Sequence, residues 1–390
     1  METINVSSLL TPALKDLRQV FQSHGFDIRL VGGCVRDLVN NVVPKDIDLC
    51  TDASPTEQIV IYAQSGYRYV ETGIDHGTIT VVIDNNTYEI TSLRVDEDTN
   101  GRHATVSYTR DWYEDCARRD LRFNAMIADF DGNLIDPFNG VNDLKNGIVK
   151  FVGNPRQRMQ EDYLRILRWI RFNAIYGTQQ DNETRIAVMD MASGLQQVSR
   201  ERIWQEIKKI ISAKKFSTAI RDIVDLNILS HIDLPKTLNN ESIAVSVIEN
   251  TIITPSPVTI ITMWIQDYVT TLADIWKWSK QEKQLAEFII REINNPSSLR
   301  VIQVMSGASR EWITELAIAK LSAMMITETE LIEIQEWNMP IFPITGFDLI
   351  ATGIKPGPAI RDHLHRMKFE WAISNFIKTR DELMLSLKDI

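Results

Sequence analysis

The chain has 390 residues, with 42 Lys and Arg against 52 Asp and Glu, a formal charge of −10. The length fits two or more domains. The charge balance excludes a protein that coats nucleic acid by bulk basicity, but not an enzyme with a local basic groove. Cys34, Cys50 and Cys116 are far apart and odd in number, with no CxxC or Cys/His cluster. Neither zinc nor a disulfide framework is expected, and a reducing compartment fits. "METINVSSLLTP" has an early Glu and no basic or long apolar region, so no signal peptide is read there. No apolar run is long enough to span a bilayer. The expected location is cytoplasmic, with an organellar pool as the alternative.

In chain order, "TPALKDLRQVFQSHG" has helical periodicity and closes on Gly25 as a C-cap. "DIRLVGG" reads as a strand ending in glycine, and "DIDLCT" as a second strand. "SPTEQIVIYAQSG" reads as a helix with Ser54 as N-cap and Pro55 in its first turn. "GTITVVID" and "TYEITSLRV" form a hairpin around Asp84-Asn85-Asn86. After Gly153 strand character disappears. "PRQRMQEDYLRILRWIRFNAIYG" reads as one long helix and "SRERIWQEIKKIISAKK" as another. Loops fall near "LPKTLNN", "ITPSP" and "NMPIFPITG". The fold class is α+β, an N-terminal α/β part to about residue 150 followed by an all-α region.

Three motifs carry chemistry. In "RLVGGCVRDLVNNVVPKDIDLCT", Gly32 and Gly33 precede a short helix bearing Arg36. Glycines let backbone approach a phosphate, and a helix start offers free N–H donors. Asp46 and Asp48, two apart on the expected strand, would share a face. Paired carboxylates there suit Mg²⁺ bridging to phosphate oxygens. A Gly-Gly pair alone is usually a turn, and a lone DxD is often a solvated face. Their joint spacing suggests two-metal nucleotidyl transfer. Glu89 is a third candidate acid, or a solvent-facing strand residue.

In "EDYLRILRWIRF", Asp162, Arg165, Arg168 and Arg171 stand at steps of three, on one slowly drifting helix face. A solvated charged face is the plain alternative. The chemical reading is that acceptor-only Asp162 and donor-only Arg165 complement the edge that cytosine and adenine share. Uracil and guanine would meet two mismatches, each costing roughly 1–3 kcal/mol. "RRDLRFNAM" offers Arg118, Arg119, Asp120 and Asn124; alone it is a basic helix start, beside the other motifs a candidate for triphosphate and sugar contacts.

With these motifs in order, the chain resembles the class II tRNA nucleotidyltransferases, the CCA-adding enzymes. The family pattern is GGxVRD, then DxD, then an RRDxxxNAM-like stretch, then EDxxRxxRxxRF. The resemblance extends over "HGTITVVIDNNTYEITSLRVDEDTNGRHATVSYTRDW", the family's flexible-loop region, and "DPFNGVNDLKNGIVKFVG", its hinge. "SRERIWQEIKKII" resembles a neck helix, and "EWNMPIFPITGFDLIATGIKPGPAI" the tail of the metazoan mitochondrial-type members. It implies a polymerase-β-like head over 1–150, a helical neck over 151–215, a body over 216–300 and a tail over 301–390. It implies Mg²⁺-dependent addition of C, C and A to tRNA 3′ ends from CTP and ATP, with no membrane and no protein partner. Asp46 and Asp48 would hold the metal. Gly32, Gly33, Arg36, Arg119, Asp120 and Asn124 would contact nucleotide. Asp162 and Arg165 would read the base, with Arg168 and Arg171 supporting them or the phosphates.

Ser92 to Asp111, with Arg94 and the turn "TNGRHA", matches a full-length loop and favours all three additions. Arg122-Phe123 departs from the Thr and small aliphatic residue of many relatives; Arg122 either tunes nucleotide affinity or pairs with an acid. The rivals are a bacterial-type poly(A) polymerase, a CC-only or A-only enzyme, and a non-catalytic tRNA-binding protein. His76, His103 and His231 read as structural or surface residues. Candidate RNA-contacting patches are Arg156 with Arg158, Lys208 and Lys209 with Lys214 and Lys215, and Arg361, Arg366 and Lys368.

Overall fold

The computed structural model describes residues 2–84, 86–99, 104–213, 215–235, 251 and 253–387. Helix α1 (Pro12–Ser23) starts where Thr11 Oγ1 accepts the Leu14 N–H, and its C-cap is His24 rather than Gly25. Gly25 follows with φ 84°, supplying the left-handed turn. Strand β1 (Ile28–Val31) runs into α2 (Gly33–Val39), and β2 (Leu49–Thr51) follows. Helix α3 (Pro55–Ser65) opens on a capping box between Ser54 and Glu57 and closes on Gly66.

Strand β3 (Arg68–Gly73), which the sequence reading missed, pairs antiparallel with β4 (Thr78–Ile83). Strand β5 (Asn86–Ser92) returns beside β4 in a register from Thr78↔Thr91 to Ile83↔Asn86. Asn86, expected in the turn, is already in the strand, and Asn85 lies outside the described residues. The run "TYEITSLRV" also breaks: Arg94 and Val95 belong to β6 (Arg94–Thr99), which forms a separate ribbon with β7 (Ala104–Tyr108).

Helix α4 (Trp112–Ala117) leads to β8 (Ile127–Ala128), β9 (Leu134–Ile135) and α5 (Gly140–Asn146). The main sheet has the order β3-β4-β5-β2-β1-β8-β9, and only β2 and β5 pair in parallel. Among the described residues all later elements are helical, as the α+β reading expects. Val31, Cys50, Leu93, Cys116, Ala125, Ile127 and Val152 form one buried cluster of this part.

The chain divides into two compact units, Met1–Ile232 and Asp233–Ile390. The first adds α6 (Pro155–Glu161), α7 (Leu164–Tyr176), α8 (Asn182–Met191), α9 (Arg200–Ile211) and α10 (Phe216–Asp225) to the sheet. The second runs from α11 (Pro257–Ile265) to the C-terminal helix Arg380–Leu385. One of its cores gathers Val301, Val304, Ile344, Leu349, Met367, Trp371, Ala372 and Leu383.

Candidate active site

The glycine turn needs its glycines. Gly32 is the N-cap of α2 with φ 66° and ψ −123°, and no side chain caps the helix start. A Cβ there would lie 3.1 Å from Arg119 Nη1, so conformation and close approach both favour glycine. A Cβ on Gly33 would stand 3.5 Å from Asp48 Oδ2. The turn and the acidic motif are therefore neighbours.

Both aspartates lie outside the strand that was expected to hold them. Strand β2 begins at Leu49, Asp46 sits in a bend, and Asp48 is the residue before the strand. Aspartate is depleted in strands, and the ladder reaches back only one step, with the Val31 N–H donating to the Asp48 carbonyl at 3.0 Å. Strand alternation thus does not place Asp46. Asp48 and Glu89 line a cleft of about 510 Å³, while Asp46 is not among its lining residues. The Asp48 carboxyl has its pKa raised. Burial is the largest cause, and the charges of Asp46 and Glu89 add to it, against Arg119 and Arg36.

This donor set fits a hard divalent cation. Three carboxylates concentrate negative charge at Asp48, and all donors are oxygens. Among the described residues no group of three or more His, Cys, Asp and Glu is placed to hold a metal. Mg²⁺ binds through one or two carboxylates and completes its shell with water and substrate phosphate, so Asp46 and Asp48 are the residues that would hold it.

The cationic side of the cleft is built on buried acids. Asp115, on α4, is fully buried; its Oδ1 accepts from Arg118 Nε and Nη2 at 2.9 and 2.6 Å. Its Oδ2 accepts from Arg119 Nε and Nη2 at 3.1 and 2.8 Å. A second chain runs across the floor. Arg36 Nη1 donates to Asn124 Oδ1 at 2.9 Å, Asn124 Nδ2 to Asp120 Oδ1 at 3.2 Å, and Arg168 Nε to Asp120 Oδ2 at 2.6 Å. Burial opposes the charge of Asp120, yet Arg168 outweighs it and the carboxyl pKa falls. Phe172 lines the same cleft, with the guanidiniums of Arg36 and Arg168 5.1 and 5.7 Å from its ring.

The expected long helix is two helices, and Asp162 is the break. It is extended, with φ −157° and ψ 105°, between α6 and α7. Its Oδ1 accepts the Leu164 N–H at 3.1 Å, a local bond that competes with continued helix. A Cβ on Gly194 would come within 2.0 Å of the Tyr163 ring, so the residue after Asp162 packs closely on that glycine. Asp162 therefore does not share a helix face with the arginines. It still lines the cleft, together with Arg165 and Arg168. Its Oδ2 accepts from Arg202 Nη2, on α9, at 2.6 Å.

Arg165 Nη1 donates to Glu161 at 2.5 Å and to the Arg158 carbonyl at 3.0 Å, and its Nη2 to the Arg118 carbonyl at 3.3 Å. Arg171 goes elsewhere. Its Nε donates to Glu206 at 2.6 Å, its guanidinium stacks 4.2 Å from the Phe172 ring, and it is not among the cleft's lining residues. Arg171 thus stands apart from the cleft, held by a buried glutamate.

Of the candidates, Gly32, Gly33, Arg36, Asp48, Arg119, Asp120, Asn124, Asp162, Arg165 and Arg168 are brought together in one cleft. Sequence reasoning missed Asp115, Glu161, Arg202 and Phe172 as supports; only the position of Glu161 four residues before Arg165 gave a signal. Arg122 pairs with an acid: Nη1 is 3.9 Å from Asp143, and Nε donates to the Phe151 carbonyl at 3.3 Å. In the loop region, residues 100–103 lie outside the described residues, and with them most of "TNGRHA"; Arg94 donates to the His76 carbonyl. The basic patches are partly neutralised. Arg156 pairs with Asp190, Arg158 with Glu161 and Arg361 with Asp362, and Lys214 lies outside the described residues.

Residues 28–150 match a family model described as the poly A polymerase head domain, and residues 179–237 one described as a probable RNA and SrmB-binding site of polymerase A. The chain is 38% identical to the mouse CCA tRNA nucleotidyltransferase 1, mitochondrial, over all of this chain and 92% of the relative. A crystal structure of the Bacillus stearothermophilus CCA-adding enzyme in complex with CTP matches with a TM-score of 0.79 at 22% identity, covering 97% of this chain and 99% of that one. The Thermotoga maritima CCA-adding enzyme complexed with tRNA_CCA matches with a TM-score of 0.69 at 18% identity, over all of both chains. These two likenesses are of fold.

Proposed function

This chain belongs to the CCA tRNA nucleotidyltransferases, and from that premise we propose that it adds C, C and A to tRNA 3′ ends from CTP and ATP, without a nucleic-acid template. The observation that carries the reading is one cleft lined by Asp48, the Gly32-Gly33 turn, Asp162 and five arginines, Arg165 among them. Asp162 offers an acceptor and Arg165 a donor, the complement of the edge shared by cytosine and adenine. Arg118 and Arg119 balance triphosphate charge, and Asp120 and Asn124 offer polar contacts to the sugar. The tRNA 3′-hydroxyl attacks the α-phosphorus; an O–P bond forms, the bond from the α-phosphorus to the bridging oxygen breaks, pyrophosphate leaves with that oxygen, and the hydroxyl proton is released to water. Asp46 and Asp48 would hold Mg²⁺, which would supply positive charge against the negative charge that develops in the transfer. Gly32 and Gly33 keep backbone close to the phosphates.

The assigned regions are 1–150 as catalytic head, 151–215 as neck, 216–300 as body and 301–390 as tail for tRNA. All three cysteines are free and buried, which supports a reducing compartment. We place the protein in the cytoplasm, with the mitochondrion, named for the mouse relative, as the alternative. Among the described residues no helix is long and apolar enough to cross a membrane.

The test is extension of a tRNA transcript ending just before CCA, with Mg²⁺ and each nucleotide singly and in pairs. Growth by three with CTP plus ATP, then arrest, supports the reading. Arrest after two, long ladders with ATP, or binding without extension would replace it with a CC-adding enzyme, a poly(A) polymerase or a tRNA-binding protein.

A further inference from the structure

Asp115 has no place in the chemistry above, yet it is the most buried acid near the cleft. Its side chain is 0% exposed, and each oxygen accepts from one guanidinium. In both arginines it takes the Nε and Nη2 donors and leaves Nη1 unused by it. Arg119 Nη1 is the atom that would meet a Cβ on Gly32 at 3.1 Å, beside the glycine turn. The arginine pair sits against an apolar cluster, with Arg119 Nη2 3.5 Å from Cys50 Sγ. One carboxylate thus fixes two adjacent cations in a low-dielectric wall, where like charges side by side would otherwise splay toward solvent.

We propose that Asp115 is the positioning residue of the triphosphate site: it holds Arg118 and Arg119 so that their Nη1 edges face the phosphates of the incoming nucleotide. This rests on the nucleotide reading of the cleft. Asp115 itself touches no substrate. It acts through the arginines, so its loss weakens recognition of the β- and γ-phosphates and leaves recognition of base and sugar intact.

The experiment uses the full chain with Mg²⁺. CTP, CDP and CMP binding are measured by calorimetry for the wild type, D115N and D115E, beside extension kinetics. Wild-type preference for CTP over CMP is the control. If it is absent, the nucleotide reading fails, whatever the variants do. For D115N the expected result is a CTP affinity about 10- to 100-fold weaker, with CMP affinity and the KM for tRNA unchanged. D115N on an R119Q background should cost much less than on the wild type. Equal losses for CTP and CMP, unchanged CTP affinity, or additive effects with R119Q would overturn the proposal. Should D115N fail to fold, D115E, which keeps the charge, is read by the same CTP-to-CMP ratio: a fall supports positioning, and an unchanged ratio overturns it.

Discussion

The cleft arginines of one unit contrast with three surface arginines of the other. In Met1–Ile232 the cleft arginines are largely enclosed: Arg36, Arg118, Arg119 and Arg165 have side chains 13–17% exposed, each bonded to a neighbouring acid. In Asp233–Ile390, Arg291, Arg361 and Arg380 are 52–84% exposed, with partners one residue away or on a surface acid. Enclosed arginines have lost their rotamer freedom before a ligand arrives, so their geometry can discriminate. Exposed ones keep it and are screened by salt, so they suit binding by charge and shape. On the proposed function, the first unit selects and the second holds.

The strongest way to break this contrast is at the acidic motif. D48A should lower CTP incorporation by about 10³-fold or more, read in single-turnover extension, because the charge that holds the metal is removed. Retained activity would detach the cleft from the chemistry.

Arg171 sharpens it from the other side. It is enclosed like the cleft arginines but bonded to Glu206, which is 3% exposed in its side chain. R171Q should cost about 3 kcal/mol of stability by denaturant unfolding, as one partner of a buried pair is lost, with little change in CTP turnover. A large turnover loss at unchanged stability would put Arg171 back in the site.

Arg202 comes next. R202Q removes the charged partner of Asp162, and the ratio of CTP to UTP incorporation should fall about tenfold. An unchanged ratio would mean that Asp162 needs no support from α9.

The enclosed acids also set a pH limit. Asp115 and Asp120 both titrate below their ordinary 3.8. Burial opposes their charge, and Arg119 with Arg118 at the first, and Arg168 at the second, outweigh it. A depressed carboxylate contributes stability in full above its unfolded pKa, and that contribution is lost as pH falls through the folded one. Tm should hold from pH 7 to about 5 and drop below 3.8. A Tm that rises in acid would contradict the pairing.

Much of this was legible in residue order. Ser54 as N-cap, with Pro55 after it, announced α3 because capping is local chemistry. The three motifs were found because each is a short run of residue types with one chemical use. Long-range geometry was not legible. Asp115 and Arg202 have partners, but "DCARR" and "RERIW" do not say which residues will face them. Asp162 sits in a run whose apolar spacing is helical throughout, so only the fold reveals the extended residue between α6 and α7. Strand β3 was missed because "RYVETG" carries charge on a short strand at the sheet edge.

The central claim is that protein side chains, not a template, choose the base. It is tested by offering CTP and UTP in turn to the wild type and to D162A, on a tRNA ending just before CCA, and measuring each rate of incorporation. The account predicts strong preference for CTP in the wild type and a collapse in D162A of about 100-fold, mainly through gain of UTP. Equal preference in both proteins would contradict it and move base selection away from Asp162.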